Sequence, residues 1–167
     1  MSNWPWSNKP LKTTQELLDL DDGQRRKDMI VMAFEEAIQG KLAREGRESL
    51  NTAEMTVLAV EALEREVNNG GYSQFFLNSS AEFAPILVDS LERIDCPKAA
   101  AVAQSAIDAL ELPDLNVEAI QTAIRIENRE REAKLATCDD AFFAYEEDIT
   151  GGLLAFIRAN RDLIRIP

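Results

Sequence analysis

Apolar positions recur at steps of three and four along most of this chain, and no sustained alternation marks a strand. From Gln24 to Arg44 the stripe Ile30, Phe34, Ala37, Ile38 and Leu42 predicts an amphipathic helix. A second helix is expected from Asn51, where Asn51 and Glu54 make a capping box ahead of Met55, Leu58, Ala59, Ala62 and Leu63. Glu54, Glu61, Glu64 and Arg65 fall outside that inner face, while Glu66 lies near the apolar stripe one turn past Ala62. The helix runs into Asn68-Asn69-Gly70-Gly71 and restarts with Tyr72, Phe75 and Phe76 at helical spacing. Asn and Gly tolerate left-handed backbone angles, so a helix end with a sharp reversal is expected there, anchored by the three rings. A carboxylate at Glu66 must find donors, and the amides around Asn69 to Tyr72 are nearest in sequence. That reading makes it a structural clasp.

Ser79 and Glu82 predict another capping box before Phe83, Ile86, Leu87, Leu91 and Ile94, with Pro85 in the first turn. Pro97 opens an alanine-rich helix through Leu110, with Val102, Ala106, Ile107 and Leu110 facing inward. Asn116 caps a helix with Val117, Ile120, Ala123 and Ile124 inside. That helix is expected to continue as a polar segment through Lys134, supported by the pairs Glu127–Arg131 and Glu130–Lys134. Asp139 and Asp140 start the last helical region, to which Phe142, Tyr145, Ile149, Leu153, Phe156 and Ile157 contribute core, with a bend at Gly151-Gly152. A short helix is expected between Thr13 and Leu20, broken by Asp21-Asp22-Gly23. The whole reads as an all-α, single-domain irregular array of about seven helices over residues 13–167. Residues 1–12, with Trp4, Pro5, Trp6 and Pro10, read as an N-terminal arm folding back on the body.

Charge sharpens this picture. Thirty acids against eighteen bases leave a net charge of −12 over 167 residues, which disfavours nucleic acid or anionic membrane as direct partners. The excess is segregated: residues 48–124 hold thirteen acids and only Arg65, Arg93 and Lys98, and residues 135–157 hold five acids and no base. Uniform solubilising charge does not require that. The first residues lack the continuous apolar core of a signal peptide, and the scattered Cys96 and Cys138 read as reduced, packed thiols, so a cytoplasmic protein is expected.

Chemistry is scarce. The absence of histidine removes Ser-His-Asp and Cys-His nucleophile pairs and His-ligated zinc, and two cysteines cannot build a four-thiolate site. A calcium loop starting at Asp19 would need Gly and Glu where Gln24 and Ile30 stand. The Gly-Gly pairs lack the lysine and spacing of a phosphate loop. Carboxylate pairs of the glycosidase kind are possible among thirty acids, but nothing selects one. No catalytic residue, metal or cofactor is expected.

The run Glu66-Val67-Asn68-Asn69-Gly70-Gly71-Tyr72-Ser73-Gln74-Phe75-Phe76-Leu77-Asn78 resembles the signature of the DNA-mimic-protein family. The likeness extends from about Gln24 onward and returns between Asp139 and Asp162. Within it Glu66, Asn68, Gly70, Gly71, Tyr72, Gln74, Phe75, Phe76 and Asn78 look like a fold marker. The resemblance implies a small acidic helical protein that copies the charge of DNA to occupy a basic, transcription-factor-like DNA-binding protein. It also implies a homodimer, to which the aromatics Trp4, Trp6, Phe142 and Phe143 would contribute. Duplex DNA carries about one charge per 3.4 Å of each strand. Carboxylates at i and i+3 or i+4 on a helix stand roughly 5–6 Å apart, a sparser but regular array. Glu61, Glu64, Asp89, Glu92, Asp108, Glu111 and Glu118 are candidates for it, with Asp139, Asp140, Glu146, Glu147 and Asp148 in the second acidic stretch. The alternatives are an acidic interaction domain without mimicry and, third, an enzyme of unidentified chemistry.

Overall fold

The computed structural model describes Leu18 and residues 24–164. The arm, most of the short helix expected before Leu20 and the Asp21-Asp22-Gly23 break lie outside the described residues. Seven α-helices follow: α1 (Gln24–Glu45), α2 (Thr52–Leu77), α3 (Ala84–Arg93), α4 (Pro97–Asp108), α5 (Val117–Arg125), α6 (Arg129–Phe143) and α7 (Ile149–Ala159). Short 3-10 turns at Arg47–Ser49 and Ser79–Phe83 join the first three, and no strand occurs among the described residues. The all-α reading stands. α2 is the hub, packing against α1, α3, α5, α6 and α7, and the other helices close around it through α1–α7, α3–α4 and α4–α6 contacts.

α2 begins as its sequence dictates. The Asn51 side chain accepts from the Glu54 N–H at 3.0 Å, and the Glu54 carboxylate accepts from the Asn51 N–H at 3.0 Å. Glu54 departs from its expected outward position, however. It is 1% exposed, and both its oxygens lie 3.0 Å from Lys41 Nζ on α1. A carboxylate can sit there only because that ammonium and the cap amide occupy its lone pairs.

The reversal at Asn-Asn-Gly-Gly is a kink inside α2. Gly71 takes φ 73°, ψ −176°, whereas Gly70 has φ −159°, so the left-handed angle falls on Gly71 alone. The restarted half-helix exposes an unpaired amide toward the interior, and the Asp139 carboxylate of α6 accepts from the Tyr72 N–H at 2.7 Å. A Cβ on Gly71 would lie 2.4 Å from an Asp139 oxygen. Tyr72, Phe75 and Phe76 are fully buried, as expected of the anchor. Glu66 is indeed a clasp, but its donors are side chains: Gln74 Nε2 at 2.9 Å and Asn78 Nδ2 at 2.8 Å, which tie the two halves of α2 across the kink. Burial alone would raise its carboxyl, yet these two bonds and Arg65 together hold it below the ordinary carboxylate range.

Four boundaries differ from the sequence reading. Ser79 opens a 3-10 turn with no side-chain cap, and Glu82 pairs with Arg47 instead. The expected helix from Asn116 to Lys134 breaks at Ile126, where Asn128 caps a new helix by accepting from the Arg131 N–H at 3.0 Å. Arg131 therefore turns back to the carbonyls of Ala123 and Ile126, although Glu130–Lys134 forms as expected at 2.9 Å. Asp139 and Asp140 lie inside α6, and the last helix starts only after Asp148, whose side chain accepts from the Gly151 N–H at 2.9 Å. Gly151 and Gly152 make no bend. They form the first turn of α7, and a Cβ on Gly152 would stand 2.6 Å from the Ile94 carbonyl oxygen, so close approach to the α3–α4 corner explains that glycine. Phe142 is buried against Tyr72, ring centroids 6.3 Å apart and edge to face, and is no spare aromatic; Tyr145 is exposed and is not core.

Gly71→Ala should destabilise the fold by about 1–3 kcal/mol, because it strains a left-handed backbone and pushes Asp139 off the Tyr72 amide. Gly70→Ala must displace the Gln74 side chain that bonds Glu66, but it strains no left-handed backbone and should cost less. Urea unfolding of the two variants checks the order, and a wild-type midpoint for Gly71→Ala would contradict this account of the kink.

Candidate partner-binding surface

The acidic residues separate into two sets once their surroundings are considered. The first set is consumed by the fold. Glu61 and Glu64 of α2 are partly buried where α1 and α7 meet it, and Glu64 accepts from Thr150 Oγ1 at 3.3 Å. Burial, together with the carboxylates of Glu64, Glu35 and Asp28, pushes Glu61 up to about 8 against the pull of Arg65. Burial pushes Glu64 up to about 7, the Thr150 hydrogen bond opposing and Asp28 and Asp148 adding. Burial likewise raises the Asp139 carboxyl, the Tyr72 amide opposing and Asp140 adding. Glu147 accepts from the N–H groups of Lys98 and Ala99 at 3.0 and 2.8 Å and so caps α4 from outside. Glu146 pairs with Lys98 Nζ at 2.8 Å, and Asp148 caps α7 and faces Lys27 at 3.4 Å.

The second set lies open. Between Ala84 and Glu118 the chain carries seven carboxylates, Asp89, Glu92, Asp95, Asp108, Glu111, Asp114 and Glu118, and every one is exposed. Arg93 and Lys98 are the only bases in that span, and Lys98 is taken by Glu146. Asp108 and Glu111 line one shallow cleft of ≈ 420 Å³ at the end of α4, with Gln104 and Leu112. Asp89 lines another of ≈ 220 Å³ between α2 and α3, beside Arg93. Glu111 stands past the end of α4 at φ 54° with Lys134 Nζ 3.6 Å away, so it does not continue the helical spacing from Asp108. Glu118 is in the first turn of α5, and Asp140 is exposed on α6. Asp95 and Asp114 were not expected, because they sit in turns where helical spacing gives no signal.

The motif residues are structural neighbours. Asn68 accepts from the Tyr145 hydroxyl at 2.8 Å, and Glu66, Gln74 and Asn78 form the clasp. Nothing here favours nucleophilic chemistry: Cys96 is buried, and burial with the nearby acids Glu147 and Asp95 pushes its thiol up to about 11. Among the described residues no group of three or more Cys, Asp and Glu is placed to hold a metal ion, and no helix is long and apolar enough to cross a membrane.

A pH dependence of stability follows from Glu61 and Glu64. Their folded values, about 8 and about 7, lie above the ordinary 4.5, so the folded state binds more protons than the unfolded state between those limits. Stability must therefore fall as pH rises from about 5 to about 8. Glu61→Gln with Glu64→Gln should flatten that fall, and thermal melts of both proteins at the two ends of the range check it. Equal slopes would contradict the buried placement.

Comparison with curated proteins and with solved structures gives no match. A family model does match: that of the DMP19-like proteins, over residues 48–160, which takes in α2 to α7, the glycine kink and both acidic stretches. With more than half of its length covered, the chain belongs to the DMP19-like protein family.

Proposed function

We propose that this protein is a DNA mimic that binds a basic, transcription-factor-like DNA-binding protein and blocks its DNA site. The family supports the reading, and one structural observation carries it. The seven carboxylates between Ala84 and Glu118 are all exposed, in a span with a single base outside any ion pair with another segment, while the acids of α2 are partly or wholly buried. Charge exposed in that way adds little to the fold, where its contacts are exposed ones to Gln104, Lys134 and Asn116. It costs self-repulsion, which a cationic partner would relieve. The mimic surface is therefore assigned to α3, the end of α4 and the start of α5, through Asp89, Glu92, Asp108, Glu111 and Glu118, with Asp140 flanking on α6. Glu61, Glu64, Asp139, Glu147 and Asp148 serve the fold in this reading, and Glu146 is neutralised by Lys98. Contacts of this kind are exposed ion pairs, so binding weakens as salt shortens the screening length to about 8–10 Å.

The test is displacement. DNA-binding proteins of the native cell are loaded on immobilised duplex DNA, and the purified protein is passed over them. Mimicry predicts elution of a discrete basic protein at low salt, and loss of that elution for Asp89→Asn, Glu92→Gln, Asp108→Asn and Glu111→Gln combined. Glu61→Gln with Glu64→Gln should elute it as the wild type does. A bound protein that holds DNA and this protein together would overturn the proposal.

A further inference from the structure

Phe143 and Tyr145 are large rings left in water, 42% and 62% exposed, at the C-terminal end of α6. They are not loose. Tyr145 sits at φ 47°, a left-handed angle that a bulky residue adopts at a cost, and its hydroxyl donates to Asn68 Oδ1 at 2.8 Å. Phe142 is buried beneath and meets both, with centroid separations of 5.8 Å to Phe143 and 6.2 Å to Tyr145, while Phe143 and Tyr145 are 6.5 Å apart. Phe142 thus roots the group in the Tyr72 core, and the exposed surfaces of Phe143 and Tyr145 stand above it with their planes 61° apart, as a two-ring platform.

Its surroundings are acidic. Asp140 is exposed three residues before Phe143, on the same helical face, and residues 135–157 contain no base. Lys98, from α4, is held by Glu146. Rigid aromatic faces beside an unpaired carboxylate suit one chemical group above others. A planar guanidinium stacks on the ring and donates to the carboxylate at once, where an ammonium serves only as a point charge. We infer that Phe143, Tyr145 and Asp140 form a docking site for an arginine side chain of the basic partner. This rests on the reading of a cationic partner. It adds that recognition has an anchor with no counterpart in the phosphate backbone that the acidic helices would imitate.

The full chain, carbon-13 labelled at its aromatic rings, is titrated by NMR with an end-capped pentapeptide of alternating glycine and arginine, and with its lysine counterpart. The expected result is a saturable shift of the Phe143 and Tyr145 rings, with the lysine peptide binding roughly fivefold more weakly. Phe143→Leu with Tyr145→Leu should weaken the arginine peptide by roughly fivefold, Tyr145→Phe, which keeps the ring and loses only its tie to Asn68, should weaken it less, and Asp140→Asn should weaken it. Rings that do not move, or leucine variants that bind equally, overturn the inference. So does sedimentation showing a dimer that the leucine variants dissolve, since a second copy then occupies the platform. No DNA enters this titration. A positive titration with a failed displacement would discard mimicry and keep the arginine site.

Discussion

One hydrogen bond holds the architecture together: the Asp139 carboxylate accepting the Tyr72 N–H at 2.7 Å. A helix broken in the middle of a core leaves amides without partners, and a buried amide without an acceptor is costly. The acceptor arrives from α6, and the 2.4 Å that a Cβ would leave shows why only glycine stands at position 71. The same bond fixes α6 against α2. Phe142, one turn further along α6, then meets Tyr72 edge to face, and the chain beyond it brings Tyr145 over Asn68. The Glu66 clasp braces the opposite side of the kink by joining residues 66, 74 and 78. The run from Glu66 to Asn78 is therefore the sequence of a joint. It says how α2 bends and nothing about what the surface binds.

The carboxylates obey a different logic in each half of the molecule. Around α2 they lie among α1, α6 and α7, where withdrawal from water makes each one either satisfied or protonated more readily. Glu54 is satisfied by Lys41 and its cap, whereas Glu61 and Glu64 have no cation close enough to prevent the upward drift of their titration. On α3, α4 and α5 the acids face water. A net charge of −12 hides this partition, because buried and solvated carboxylates count equally in a sum over sequence. Charge that partners can feel belongs to the second group.

Periodicity was enough to determine that the chain is helical, the apolar stripes of α1 and α2, and a break at Gly70-Gly71, because the three-and-four step and the conformational freedom of glycine are local properties. The Asn51–Glu54 box and the Asn116 cap were legible for the same reason, since each bond spans three residues. Misreadings arose where a distant segment decided the outcome. Glu54 and Glu61 read as solvent-facing until α1 packs over them, and Glu66 finds side-chain donors only after the chain has kinked. Gly152 looks like a bend until the Ile94 carbonyl is seen against it. The Asn128 cap was obscured by good ion-pair spacing across a polar stretch that tertiary packing breaks. Sequence by itself thus determined the fold class, the joint and the quantity of acid. Which acids stay open to solvent, and which aromatics stay uncovered, was decided only by the tertiary structure. Solvation is a property of what surrounds a side chain, and those neighbours come from helices far away in the chain.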